Sequence, residues 1–133
     1  TRNLALYRAI TSAMSEGLVR SAHDCSDGGL AAAIAECCFG CAGGTTINLD
    51  GIGGVDNWAA LFGESLGRIV VTVSPENVQR FGTIMAKHSV TKLGQVGDKD
   101  TLEFTRDGTT ILSADLNTLL AAWKGTLHMG GEA

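Results

Sequence analysis

The sequence predicts an α+β fold: a mixed β-sheet with helices packed on it, in a single domain of 133 residues. Three observations point there. Apolar residues recur at helical spacing near both ends of the chain, β-branched runs occupy the middle, and an Asp-Gly hairpin signal joins two late strands after earlier strands separated by helices. Hydrophobic residues make up 44% and charged residues 18%, which excludes a disordered chain or a fibrous repeat. A chain of this length buries roughly two-thirds of the surface its unfolded form exposes. Glycine is the outlier, 18 residues against the single proline Pro75, about twice its usual share, so many backbone positions are expected in tight turns.

The elements follow in order. Leu4, Tyr7, Ile10, Met14 and Leu18 form an apolar stripe on a first helix that ends near Gly17. Leu18 to Ala22 reads as a short strand and runs into His23-Asp24-Cys25-Ser26-Asp27-Gly28-Gly29. Leu30 to Phe39 is rich in helix formers and is stopped by Gly40. Thr45 to Leu49 alternates with period two, hence a strand, and Gly51-Ile52-Gly53-Gly54 is a flexible connector to a short helix within Val55–Phe62. Arg68 to Val73 is nearly continuous β-former, the pattern of a central strand covered on both faces. Ser74-Pro75-Glu76 starts a helix whose buried face is Val78, Phe81 and Met85. Leu93–Val96 and Leu102–Thr105 are strands, and Asp107-Gly108 turns the latter into Thr109–Ser113. Leu116, Leu119, Leu120, Trp123 and Leu127 mark a closing helix, and Gly130–Ala133 is a frayed tail.

Ten basic residues against fourteen acidic ones give a net charge of −4 with no basic run, which argues against a nucleic-acid surface. No apolar stretch approaches the roughly 20 residues needed to cross a bilayer, and no signal-peptide pattern opens the chain. A membrane partner is therefore not expected, and the cytoplasm is the expected compartment. Thr1 in place of methionine suggests a piece of a longer polypeptide. Cys25, Cys37, Cys38 and Cys41 cluster within seventeen residues, unlike a disulfide framework. Cys38 and Cys41 form a C-x-x-C that with Cys25 or His23 sketches a zinc site, but the strong zinc signal is two such pairs. Small helix-face residues beside a buried surface are the simpler account.

Two polar constellations could carry chemistry. Asp24-to-Gly29 places two carboxylates, a hydroxyl and two glycines between a strand and a helix start, where backbone N–H groups attract anions. Asp27 also suits the N-cap of that helix. Leu61-Phe62-Gly63-Glu64-Ser65-Leu66-Gly67-Arg68 precedes the most hydrophobic strand. There Arg68 offers a planar fork for phosphate or carboxylate, and Glu64 could pair with it or accept from a ligand. His88 and His128 read as solvated surface residues, and His23 as an orienting group. No catalytic triad follows from spacing, so these features by themselves describe a domain that binds or supports.

These residues carry a family resemblance. Ala22 to Ala31 resembles the H-D-x-S-D-G-G-L segment of the phosphoribosylformylglycinamidine synthase subunit II family. Leu61 to Arg68 is similar to that family's L-F-S-E-S-x-G-R loop, with Gly63 in place of the first serine. Order and spacing agree over nearly the whole chain, which fits the family's C-terminal domain and, more widely, the aminoimidazole ribonucleotide synthetase superfamily. The resemblance implies an ATP- and glutamine-dependent ligase of purine biosynthesis that makes formylglycinamidine ribonucleotide from formylglycinamide ribonucleotide. ATP would phosphorylate the amide oxygen and ammonia displace the phosphate, with magnesium bridging nucleotide oxygens to carboxylates.

It further implies that ATP and magnesium are held mainly by domains absent here, so no catalytic residue or metal ligand is assigned within the chain. Asp24, Ser26, Asp27, Gly28, Gly29, Glu64, Ser65 and Arg68 are expected to face a ligand or a cleft shared with a neighbouring domain. The implied partners are the other domains of the subunit, a glutaminase subunit and a small subunit. The isolated chain would then be inactive. A structural module binding only neighbouring domains, or the equivalent domain of another superfamily ligase or kinase, is the alternative.

Overall fold

The computed structural model describes residues 2–40 and 43–125. Within them the chain runs through α1 (Arg2–Ser15), β1 (Val19–Asp24), α2 (Gly29–Phe39), β2 (Thr45–Asn48), α3 (Asn57–Phe62) and β3 (Ile69–Val73). A 3-10 turn (Pro75–Asn77) leads into α4 (Val78–Ile84), followed by β4 (Gly94–Val96), β5 (Thr101–Arg106), β6 (Thr109–Asp115) and α5 (Leu116–Gly125). The mixed α+β class is the one expected. The described residues form two compact units, one of residues 2–34 with 58–92 and the other of residues 35–40, 43–57 and 93–125.

In the first unit the core is Ile10, Ala13, Leu18, Phe81 and Met85, with Leu6, Ala9, Val19, Ile69, Val71, Val73 and Ile84 packed against it. The buried face of α1 is therefore Leu6, Ala9, Ile10 and Ala13. Of the apolar stripe expected there, Leu4, Tyr7 and Met14 are exposed. The helix carries two overlapping apolar series, and its small residues Ala9 and Ala13 mark the side where another element comes close. Helix α1 ends where the sequence placed its stop. The N–H of Gly17 (φ +70°) donates to Met14 and that of Leu18 to Ala13, the two bonds of a Schellman motif, with Leu18 folded into the core.

Strand β1 pairs antiparallel with β3, Val19 opposite Val73 and Asp24 opposite Ile69, with an irregularity between Val19 and Ser21. This two-stranded sheet corrects the expectation of a central strand: among the described residues β3 has β1 as its sole partner, and all its residues are half-buried. A run of β-formers reports backbone preference, not coverage of both faces. Ile69, Val71 and Val73 alternate onto the core while Thr72 meets Ser21 through their hydroxyls at 2.6 Å. After β3, Ser74 is extended (φ −64°, ψ 146°) and makes no side-chain cap. Pro75 opens the 3-10 turn, and Phe81 and Met85 are buried as expected whereas Val78 is exposed.

The second unit holds a four-stranded sheet in the order β4-β2-β5-β6. Strand β2 runs antiparallel to β4 and parallel to β5, and β5 runs antiparallel to β6. Period-two alternation puts Thr45 and Ile47 inward on β2, and Leu102 and Phe104 inward on β5. The hairpin turn is Asp107-Gly108, both with positive φ (+50° and +72°), as a two-residue connection requires. Asp115 caps α5, its carboxylate accepting from the Thr118 N–H at 2.8 Å and hydroxyl at 2.9 Å. Along α5, Trp123 meets Phe39 of α2 with ring centroids 5.8 Å apart. Leu127, His128 and the expected tail lie outside the described residues.

The stretch read as a flexible connector is tied down. The Arg106 guanidinium donates to the carbonyls of Leu49 (3.4 Å), Ile52 (2.9 Å) and Val55 (3.2 Å) and to Asn57 Oδ1 (2.8 Å). Asp50 accepts from the Asp107 N–H at 2.8 Å. A cation from the end of β5 thus organises the loop that leads to α3.

Candidate functional site

The two polar loops meet in the first unit. Strand β1 ends at Asp24, and the pairing with the β3 side continues one step further, the Cys25 N–H donating to the Arg68 carbonyl at 3.0 Å. The chain then turns through Gly28 (φ +77°) and Gly29 (φ +65°), left-handed conformations that side chains disfavour. Gly29 also lies directly on the end of α3: a Cβ there would stand 2.7 Å from the Phe62 carbonyl carbon and 2.9 Å from the Leu61 oxygen. Leu61 and Ala60 are fully buried, which fixes α3 beneath the turn. The Gly28 N–H donates to Glu64 Oε1 at 3.0 Å, so a bond spanning 36 positions links one motif to the other.

Arg68 does not present a free fork. Its Nη1 donates to the Gly63 carbonyl and its Nη2 to the Ala60 carbonyl, each at 2.8 Å, which satisfies the open end of α3. Glu64 and Arg68 are thus engaged with different partners, not with each other as an internal pair would require. The N-cap expectation for Asp27 is also corrected. Helix α2 begins at Gly29, and the exposed Asp27 carboxylate has no hydrogen-bond partner among the described residues, so it does not cap the helix.

Two of the N–H groups at this helix start already have partners within the chain. The Gly28 N–H is held by Glu64 and the Gly29 N–H by the Ser26 carbonyl at 2.9 Å. A phosphate would have to displace a carboxylate already seated there.

The Ser26 hydroxyl donates to Asp24 Oδ2. That bond, then a backbone N–H and the nearby His23 ring, hold the Asp24 carboxyl below its ordinary pKa. His23 Nδ1 lies 2.7 Å from the Asp24 carbonyl oxygen, an orienting contact as the sequence suggested. Burial raises the Cys25 thiol, partly offset by Arg68. Cys25 and Cys38 are buried and Cys37 is half-buried; Cys41 lies outside the described residues. Among the described residues no three His, Cys, Asp or Glu side chains group closely enough to hold a metal ion.

Sequence reasoning missed the apolar surface beside these loops. Trp58 and Phe62 stack with centroids 5.9 Å apart and planes at 18°, yet are 65% and 44% exposed, and Leu66 is 90% exposed. Their i, i+4 spacing on α3, opposite in phase to buried Ala60 and Leu61, was the available signal.

Residues 2–107 match the family described as AIR synthase related protein, C-terminal domain. The chain is 38% identical over 114 residues to the phosphoribosylformylglycinamidine synthase subunit PurL of Carboxydothermus hydrogenoformans, a match covering 84% of this chain and 15% of that protein. Its fold is similar to that of T. maritima PurL complexed with ATP, with a TM-score of 0.78 and 24% identity over 86% of this chain and 21% of the other. It is also similar to E. coli HypE, a hydrogenase maturation protein, with a TM-score of 0.63 and 20% identity over 84% of this chain and 39% of that one. The chain thus spans well under half the length of each of these relatives.

Proposed function

The chain belongs to the family of C-terminal domains of AIR synthase related proteins, and from that membership we propose that it serves as the C-terminal domain of a phosphoribosylformylglycinamidine synthase large subunit. In the complete enzyme ATP and glutamine-derived ammonia convert formylglycinamide ribonucleotide to formylglycinamidine ribonucleotide, and the compartment is the cytoplasm. A glutaminase subunit and a small subunit are its partners, and magnesium is bound by carboxylates of other domains. This chain supplies Asp24, Ser26, Asp27, Gly28, Gly29, Glu64, Ser65 and Arg68 to the cleft it shares with a neighbouring domain. The observation that supports this reading is the bond between Gly28 and Glu64, which joins into one surface the two segments that carry the family resemblance. Within that surface Asp27 and Ser65 are exposed and have no hydrogen-bond partner among the described residues, so they are the polar groups free to meet a ligand or another domain.

The test is made in the full-length subunit. Asp27→Asn and Arg68→Ala are expected to impair ATP-dependent amidine formation or assembly more than His88→Ala. Equal and negligible effects of all three would overturn the reading. A docking role without ligand contact is favoured by a different observation, the exposed Trp58, Phe62 and Leu66 beside the loop. Calorimetric titration of ATP into full-length Asp27→Asn separates the two: unchanged affinity with lost assembly supports docking.

A further inference from the structure

We propose that Glu64 is a positioning residue whose carboxylate holds the Gly28–Gly29 turn, and does not itself contact ligand. The inference rests on the cleft-facing reading of this turn given above. Two consecutive left-handed glycines have no side chains with which to anchor themselves, so the conformation must be held from outside. The Gly29 N–H is held locally by Ser26 and the Gly29 backbone rests on α3, but the bond from Gly28 to Glu64 is the contact that brings a side chain to the turn. Helix α2 has no acidic residue in its own first turn. The side-chain acceptor at this helix start therefore comes from another segment, through the Glu64 Oε1 that takes the Gly28 N–H. Glu64 is in turn placed by Arg68, which anchors its loop to Ala60 and Gly63. Asp27 immediately precedes the turn, so the backbone that Glu64 holds sets the direction of its carboxylate.

Glu64→Gln keeps an oxygen that accepts from the Gly28 N–H, whereas Glu64→Ala removes the acceptor. In the full-length subunit, amide exchange across residues 24–30 is measured by mass spectrometry alongside kcat and KM for ATP. Exchange at Gly28 is expected to accelerate about tenfold in Glu64→Ala and to stay within about threefold of the parent in Glu64→Gln, since the amide oxygen still accepts the bond. Activity should follow the same order, with Glu64→Gln closer to the parent. Exchange across β1 and β3 confirms that each variant is folded.

Unchanged Gly28 exchange in Glu64→Ala would overturn the proposal. So would a Glu64→Gln as impaired as Glu64→Ala with its Gly28 still protected, because the lost charge would then be a ligand contact. If the parent lacks synthase activity, the functional reading fails, while the exchange comparison still decides the role of Glu64.

Discussion

Gly29 shows how much a single residue can decide. Its φ of +65° costs any other residue strain, and a Cβ would also press on the backbone of Leu61 and Phe62. Gly53 has neither constraint, with open space where a Cβ would go. Gly29→Ala is therefore expected to lower stability by about 1–3 kcal/mol or more and to disrupt the site, while Gly53→Ala stays close to neutral. Chemical denaturation of both variants checks this, and similar midpoints would contradict it. The glycine excess in the sequence could not rank these positions, because the difference lies in what surrounds each Cα. At the same scale, Asp27 reads as a cap from its sequence neighbours alone, yet the turn through the two left-handed glycines leaves the Asp27 carboxylate exposed.

At the scale of elements, two arginines act as staples that composition shows only as charge. Arg68 closes the end of α3, and Arg106 gathers the chain from Leu49 to Asn57 ahead of it. Arg106→Ala leaves those acceptors without their cation and is expected to cost about 1.5–3 kcal/mol, with faster amide exchange between Asp50 and Asn57. A loop that exchanges at the parent rate would show that the arginine is dispensable.

Helix α5 carries a second element-scale prediction. The Thr118 N–H, followed by its hydroxyl, holds the Asp115 carboxyl below its ordinary value of 3.8. A depressed folded pKa means that the cap contributes fully above that ordinary value and is lost as pH falls through the folded pKa. The melting temperature should thus drop on acidification below about pH 4, and Asp115→Asn should flatten part of that drop. A parallel acid profile in the variant would refute the assignment.

Across the whole molecule, the chain spans only a fraction of the length of its relatives. It has a paired set of polar loops, but among the described residues no cluster able to hold a metal ion. On the proposed assignment the chain matches 15% of the length of a PurL subunit, so ATP-dependent amidine formation by the isolated chain is expected to be undetectable, and measurable turnover would overturn that assignment. The sequence by itself determined the α+β class, the place of nearly every element, the Asp107-Gly108 hairpin and the two motif loops. These depend on propensity, periodicity and turn chemistry among near neighbours in the chain. Only the tertiary structure decided which side of α1 is buried, that β3 pairs with β1 alone among the described residues, and that Glu64 seats on Gly28 while Arg68 turns back to α3. Those outcomes depend on contacts between segments far apart in sequence, where packing and hydrogen-bond satisfaction choose among arrangements that local pattern leaves equal.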